Sequence, residues 1–134
     1  MPKQNNNSDT RTILVVEDDS FLSSLITTKL TKEGYRVIEA ADGDAALAQV
    51  KEKDFDLILL DLILPGKSGT EVLKTLKETE GIKDVPVLVL TNLGEEDDIE
   101  NITQLGAIDY MIKANFTPAE IAEKVKDIFE NHGG

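Results

Sequence analysis

Residues 57–69 read LILLDLILPGKSG, a short apolar run that is interrupted by a single aspartate. Four consecutive apolar residues are typical of a strand that is buried on both faces of a parallel sheet. The pattern therefore predicts a strand over Asp56–Leu60, with Asp61 directly after it. A carboxylate is costly beside such an apolar strand unless another group compensates its charge. Asp61 is therefore the first candidate functional residue.

The same alternation of short apolar runs with longer amphipathic segments repeats along the chain. The other predicted strands are Thr12–Val16, Tyr35–Ala40, Val85–Leu90 and Asp109–Ile112. The predicted helices are Ser20–Glu33, Asp44–Lys53, one that follows a Ser68 cap, Glu95–Leu105, and one from Thr117 to about Glu130. The expected core face of the first helix comprises Leu22, Leu25, Ile26 and Leu30. Five strand–helix pairs predict an α/β fold, a doubly wound five-stranded parallel sheet with helices on both faces.

The size of the chain indicates one folded domain, since it has 134 residues of which 40% are apolar. Residues 1–10 contain no apolar stretch and are expected to form a disordered N-terminal arm. Residues 11–131 are expected to form the domain, and residues 132–134 a frayed end.

Composition excludes several classes of function. The absence of cysteine excludes disulfides, thiolate metal sites and thiol nucleophiles, and it fits a reducing cytosol, so we expect a cytoplasmic location. A net charge of −12 repels phosphate backbones, so direct nucleic-acid binding is not expected. The longest apolar stretch, Leu57–Leu64, is far shorter than the roughly 20 residues that a membrane-spanning helix needs, and membrane insertion is not expected.

Ionisable or hydroxyl residues follow four of the five predicted strands. They are Glu17–Asp19, Asp61, Thr91 and Lys113. Any one of them could simply be the polar residue at which a strand leaves the core. With the strand order 2-1-3-4-5, however, all four strand ends are neighbours at the edge where open parallel sheets bind ligands. The sequence therefore predicts one polar pocket at that edge.

The chemistry of this pocket favours a divalent cation and a phosphoryl group. Clustered carboxylates repel one another, so they need either raised pKa values or a cation. The ligands would all be oxygen atoms, since the only histidine, His132, is far away in the sequence. Oxygen ligands predict Mg²⁺ or Mn²⁺. Lys113 and Thr91 would then supply a positive charge and a hydroxyl donor for a phosphoryl group that Asp61 attacks, which yields an acyl phosphate.

The motifs ILVVEDD, LILLDLILPGKSG, VLVLTN and DYMIKA resemble those of receiver domains of two-component response regulators. The resemblance covers essentially Arg11–Asn131 and implies a flavodoxin-like sheet. It implies a metal site of Glu17, Asp18, Asp61 and the backbone carbonyl of Ile63, with Asp61 as phosphoacceptor and Lys113 paired with the phosphate. It further implies that Thr91 and Tyr110 are the switch residues and that Pro65 and Gly69 shape the loop after Asp61.

Two positions depart from the family pattern. Ala114 follows Lys113, where receivers usually have a proline, commonly after a cis bond. Asn92 follows Thr91, where a small residue is usual, and could crowd the mouth of the pocket. Phe21 has two possible roles. It is either a core residue or an exposed anchor for a partner kinase, because the first helix of receivers serves to bind the kinase.

Since no output domain follows the last predicted helix in this sequence, we expect a stand-alone receiver. The resemblance implies that it takes a phosphoryl group from a histidine kinase or histidine phosphotransfer protein. It would catalyse its own phosphorylation rather than act as a conventional enzyme, and it would signal to a downstream protein through helix 4, strand 5 and helix 5. A monomer or a phosphorylation-dependent dimer is expected. Slow autodephosphorylation is also expected, because Ile63 and Leu93 offer no hydrogen bond to an attacking water.

Other functions are compatible with the same fold. The chain could be the receiver fragment of a larger regulator, or an interaction module that is not phosphorylated, although such modules usually lack the set Asp18, Asp61, Thr91 and Lys113. A small flavodoxin-like cofactor binder would need a phosphate-binding loop rich in Ser, Thr and Gly after the first strand, where this chain has three acidic residues. A phosphatase that uses an aspartyl phosphate would often have a second carboxylate where Ile63 stands.

Overall fold

In the computed structural model, which describes residues 10–92 and 96–132, five strands form one parallel sheet in the order β2-β1-β3-β4-β5. The strands are β1 (Thr12–Val16), β2 (Arg36–Ala40), β3 (Leu57–Asp61), β4 (Val87–Thr91) and β5 (Asp109–Ile112). The helices are α1 (Ser20–Lys32), α2 (Gly43–Glu52), α3 (Gly69–Glu78), α4 (Glu96–Gln104) and α5 (Pro118–His132). The predicted fold class and strand order are confirmed.

The sheet is buried on both faces, which explains why its strands are apolar without alternation. Leu14 and Ile58 belong to the cluster that packs against α2 and α3. Their neighbours Ile13 and Leu59 face the opposite side and belong to the cluster that packs against α1 and α5. All five residues of β3 are buried, and Asp61 is the last of them.

The register of the sheet brings the strand ends together. Val16 pairs with Leu60, so the residue after β1 lies beside the end of β3. Asp61 in turn pairs with Leu90, close to the end of β4. The polar residues that follow the central strands are therefore neighbours at one edge, as the sequence predicts.

The core face of α1 differs from the predicted one at a single residue. Leu25 is 41% exposed, so its assignment to the core is wrong. The buried residues of the helix are Ser23, Ile26 and Leu30, which follow one another at spacings of three and four. Leu25 directly precedes Ile26, and consecutive helical residues lie about 100° apart around the axis. Ser23 occupies the core face in its place, because its hydroxyl donates a hydrogen bond of 2.6 Å to the Glu39 carboxylate.

The loop after Asp61 is closed tightly onto the start of α3. Ser68 is the N-cap that the sequence predicts, and it forms a capping box with Glu71. The Gly69 amide donates a hydrogen bond of 2.9 Å to the carbonyl of Leu62. A Cβ atom at Gly69 would overlap the Leu62 backbone and the Asp61 carbonyl oxygen. Only glycine permits this close approach, which fixes the backbone next to Asp61.

The segment after β5 continues as a 3-10 helix over Lys113–Asn115. The Lys113–Ala114 bond is trans, since the described residues contain no cis peptide bond. The loop after β5 therefore turns through a 3-10 helix with a trans bond after Lys113, at the position where the resemblance leads one to expect a cis proline.

No helix in the described part of the chain is both long enough and apolar enough to cross a membrane. Residues 1–9 of the expected arm lie outside the described residues, as do Leu93, the predicted helix start at Glu95, and residues 133–134.

Candidate functional site

The polar residues at the sheet edge line a cavity of about 240 Å³. Its lining residues are Glu17, Asp18, Asp19, Asp61, Ile63, Asn92 and Lys113. Glu17 and Lys113 directly follow β1 and β5, whereas Asp61 is the last residue of β3. Thr91 ends β4 and is buried at the same edge. The structure thus brings Glu17, Asp18, Asp61 and Lys113 into one cavity, whereas Thr91 is buried at the same edge and is not among the lining residues.

Three carboxylates in this cavity could hold a metal ion. Glu17, Asp18 and Asp61 each place one oxygen so that all three oxygens lie within 4.8 Å of one another. Glu17 and Asp61 are buried, whereas Asp18 is exposed. A group of ligands made only of carboxylate oxygens fits a hard cation such as Mg²⁺ or Mn²⁺.

The Lys113 ammonium lies between the two buried carboxylates. It donates a hydrogen bond of 2.8 Å to Asp61 Oδ2 and forms an ion pair of 2.6 Å with Glu17 Oε1. The other oxygen of each carboxylate accepts a backbone hydrogen bond. The Ile63 amide donates to Asp61 Oδ1 at 3.1 Å, and the Asp19 amide donates to Glu17 Oε2 at 3.0 Å. The backbone and one ammonium therefore fix both carboxylates.

Burial and charge act on these groups in opposite directions. Burial raises the pKa of Glu17 and outweighs the Lys113 contact and the Asp19 amide, which lower it. The charge of Asp61 raises the pKa of Glu17 further. Burial alone would lower the pKa of Lys113, but its hydrogen bond with Asp61 and its contact with Glu17 leave that pKa raised. The pocket therefore favours the charged form of Lys113, whereas burial and the charge of Asp61 disfavour the ionised form of Glu17.

Asp19 has a separate, structural role. Its carboxylate accepts hydrogen bonds from the amides of Phe21 and Leu22, which makes it the N-cap of α1. Asp19 is not one of the three residues whose oxygens converge. The acidic run after β1 therefore divides between two residues that face the cluster and one that begins the helix.

Tyr110 lies away from the acidic cavity. It packs against the core cluster on the α2 and α3 side of the sheet. It also lines a second cavity, of about 430 Å³, together with Phe116 and Lys124. The structure thus separates Tyr110 from the carboxylates, although only two residues of the chain lie between it and Lys113.

Apolar side chains are exposed close to the acidic cavity. Phe21 is 73% exposed, so the alternative that it belongs to the core is wrong. Leu25 lies one helical turn further along α1 and is also exposed. Ile63 is 55% exposed at the cavity itself. The exposure of Leu25 was not predicted, although its spacing of four residues from Phe21 was a usable signal.

A parallel sheet of this order, with a buried aspartate beside an acidic pair and a lysine, defines the receiver class of signalling proteins. Residues 13–126 match the sequence model of the response regulator receiver domain, so the chain belongs to that family. Phosphorylation-based signal transduction is the function of this family. Receiver domains of this family bind a divalent metal at an acidic pocket.

Several proteins are similar to this chain. The phosphate regulon transcriptional regulatory protein PhoB of Escherichia coli is 41% identical over 118 residues, which are 88% of this chain and 51% of PhoB. The chain therefore spans about half the length of the curated relatives that it matches.

Two solved structures show the similarity of fold. The chemotaxis response regulator CheY4 of Vibrio cholerae aligns with a TM-score of 0.83 and 27% identity, covering 89% of this chain and 98% of CheY4. The Mn²⁺-bound form of response regulator Rcp1 aligns with a TM-score of 0.75 and 33% identity, covering 89% and 91% of the two chains.

The neighbouring carboxylates Asp18 and Asp19 provide a test of the metal site. We expect Asp18→Asn to weaken Mg²⁺ binding about tenfold or more, because it removes one of three converging charges. Asp19→Asn should change the affinity little, because asparagine also caps a helix. Isothermal titration calorimetry with Mg²⁺ measures both affinities. Equal weakening by the two variants would contradict this set of ligands.

Proposed function

We propose that residues 11–131 are a receiver unit that accepts a phosphoryl group on Asp61 from a histidine kinase or histidine phosphotransfer protein. The observation that carries this proposal is the environment of the Asp61 carboxylate. It is buried, it lies beside two further carboxylates that could hold a metal, and it is hydrogen-bonded to an ammonium. This combination suits a carboxylate that must react with a highly charged group.

The transfer would be a displacement at phosphorus. An oxygen of Asp61 forms a P–O bond while the P–N bond of the donor phosphohistidine breaks, and the imidazole leaves with the bonding electron pair. Lys113 pairs with a phosphoryl oxygen, and the Thr91 hydroxyl donates a hydrogen bond to another. A Mg²⁺ or Mn²⁺ ion held by Glu17, Asp18, Asp61 and the Ile63 carbonyl would neutralise charge on the phosphoryl oxygens.

Chemical phosphorylation tests this assignment. Incubation with acetyl phosphate and Mg²⁺ should add one phosphoryl group to the chain, as read by intact mass. Asp61→Asn should abolish the addition, because an amide oxygen is not an adequate nucleophile. In Asp18→Ala the stimulation by added Mg²⁺ should disappear. An unchanged mass gain in the Asp61→Asn variant would refute the assignment of the phosphoacceptor.

The proposed donor would dock on the exposed apolar residues beside the cavity. Phe21 and Leu25 share one side of α1, and Asp19 caps the end of that helix next to the acidic cluster. Large exposed apolar side chains at such a place are typical anchors for a partner protein. The donor would approach Asp61 in the cytoplasm, where the kinases of such pathways present their phosphohistidine.

The proposed output is a change of the surface formed by α4, β5 and α5. A phosphoryl group on Asp61 would attract the Thr91 hydroxyl, and Tyr110 would move into the space that Thr91 leaves. Thr91 is buried at the end of β4, while Tyr110 is half-buried on the neighbouring strand β5. The phosphoryl group must favour one arrangement over the other for this population shift to occur.

Amide NMR spectra test the proposed switch. Beryllofluoride mimics the phosphoryl group, and its addition with Mg²⁺ should shift the amide signals of residues 99–105 and 110–113 as well as those of the cavity. Thr91→Ala should lose the distant shifts and keep those near Asp61, because the hydroxyl that connects the two places is gone. Shifts confined to the cavity in the unmodified chain would contradict the switch.

We further propose that the phosphorylated state is long-lived. Hydrolysis requires a water in line with the phosphorus, and the exposed side chain of Ile63 at the cavity offers that water no hydrogen bond. Leu93, at the other position predicted to orient water, lies outside the described residues.

The lifetime of the phosphoryl group tests this proposal. Ile63→Asn should accelerate autodephosphorylation about tenfold, because the amide can orient the water and about 1.4 kcal/mol in the barrier is a factor of ten. Ile63→Val keeps the site apolar and should leave the rate nearly unchanged. Loss of the phosphoryl group, followed by intact mass at constant Mg²⁺, gives both rates. Equal rates for the two variants would show that this side chain does not control the water.

A further inference from the structure

The turn between β2 and α2, all of whose residues are described, lies at the same edge of the sheet as the acidic cavity but does not line it. Residues 41 and 42 form this turn, and α2 begins at Gly43. The Asp42 carboxylate accepts a hydrogen bond of 2.7 Å from the Ala45 amide, so this acid caps α2. Any effect of the turn on the cavity must therefore pass through its contacts with the loops that carry the candidate ligands.

At its beginning the turn is bonded to the segment that follows β1. The Glu17 amide donates a hydrogen bond of 3.0 Å to the carbonyl of Ala40, which is the last residue of β2. Glu17 directly follows β1, and its side chain supplies one of the three converging carboxylate oxygens. The backbone at the end of β2 thus fixes the place at which Glu17 leaves the sheet.

At its end the turn contacts the loop that follows β3. Gly43 is buried, and a Cβ atom built on it would lie 2.6 Å from Val72 Cγ2 and 3.2 Å from Lys67 Cβ. Val72 is a fully buried residue of α3, and Lys67 belongs to the loop that carries Ile63. A β-branched side chain in a helix is held in one rotamer, so Val72 has little freedom to turn away from an added methyl group. A larger residue at position 43 would therefore push α2 away from α3 and from this loop.

The loop after β3 is connected to the buried phosphoacceptor candidate. The Ile63 amide donates a hydrogen bond of 3.1 Å to Asp61 Oδ1. The far end of the loop is closed by the bond of 2.9 Å from the Gly69 amide to the Leu62 carbonyl. Because the loop is closed and packed, a displacement at Lys67 is transmitted to Ile63 and, through its amide, to Asp61.

We infer that Gly43 is a positioning residue for the acidic cavity, because it lets α2 begin directly against α3 and the loop after β3. The short link from Ala40 to Gly43 is bonded to Glu17 at one end and packed on the Asp61 loop at the other. It thereby sets the separation of the two buried carboxylates without contributing a ligand. This inference rests on the proposed function only in taking the cavity to be the metal site used for phosphoryl transfer.

Calorimetric titration with Mg²⁺, without any phosphodonor, tests this role. Gly43→Ala should weaken Mg²⁺ binding about tenfold, because outer groups that orient metal ligands typically contribute that much or more. The second substitution Val72→Ala removes the atom nearest to the new methyl group, so the double variant Gly43→Ala/Val72→Ala should recover most of the affinity. Val72→Ala alone leaves a cavity in the core and should bind Mg²⁺ with nearly the original affinity.

Gly34→Ala is the matched control for a loss of stability. Gly34 has a φ angle of +101°, a Cβ atom added to it would meet nothing within 4 Å among the described residues, and it lies before β2 at the opposite edge of the sheet. Alanine is strained at such an angle, so this variant loses stability without touching the cavity. Its Mg²⁺ affinity should be nearly unchanged, and Mg²⁺ should raise its unfolding midpoint by more than that of Gly43→Ala.

The metal-free chain gives a second measurement. In amide NMR spectra without Mg²⁺, Gly43→Ala should shift the signals of Glu17 and Ile63, whereas Gly34→Ala should leave both in place. An unchanged Mg²⁺ affinity in Gly43→Ala would overturn the inference. Equal weakening by Gly34→Ala, or no recovery of affinity in Gly43→Ala/Val72→Ala, would overturn it as well.

These results are separable from the proposed function. Phosphorylation of Asp61 in the unmodified chain, together with an unchanged Mg²⁺ affinity in Gly43→Ala, would refute only the positioning role. Weaker binding in Gly43→Ala that Val72→Ala reverses, without any phosphorylation of Asp61 in the unmodified chain, would refute only the proposed function.

Discussion

Two carboxylates buried side by side at the end of an apolar sheet are the constraint on which the rest of this structure depends. Glu17 and Asp61 are each less than 5% exposed, and the strands that precede them supply no polar partner. Their mutual repulsion is balanced from outside β1 and β3, by the backbone amides of the following loops and by Lys113. The charge that the fold buries at this point is therefore compensated by the ammonium of a residue that directly follows another strand of the sheet.

The parallel sheet meets that requirement because all of its strands end at the same edge. Glu17, Asp61 and Lys113 are distant in the sequence, yet each lies at the carboxyl end of its strand. The loop after Asp61 is held against the start of the next helix, since Gly69 lets α3 begin against the backbone of Leu62. The backbone that carries the site is thus fixed by the sheet and by the helix starts.

The sequence was sufficient to predict the fold and the composition of the pocket, because both follow from periodicity and from polar residues at strand ends. It was less informative where neighbouring residues compete for one position. On α1, Leu25 fits an apolar pattern, but the hydroxyl of Ser23 finds a carboxylate partner and takes the core face. Asp18 faces the carboxylate cluster and Asp19 caps the helix. Which aspartate takes which role depends on how the chain turns into α1, and the residue type does not reveal it. The shared contact of Lys113 likewise depends on the path of the loop after β5.

The position of Lys113 also bears on how the site and the proposed output surface are connected. Lys113 follows the edge strand β5 directly, and Tyr110 lies within the same four-residue strand. Asp109, which begins this strand, is paired with Lys124 of α5. One short segment therefore carries an ammonium that contacts the phosphoacceptor candidate at one end and an ion pair to the last helix at the other. Coupling between the acidic cavity and the α5 side of the molecule requires no extended chain of packed residues, because the backbone of β5 already joins them.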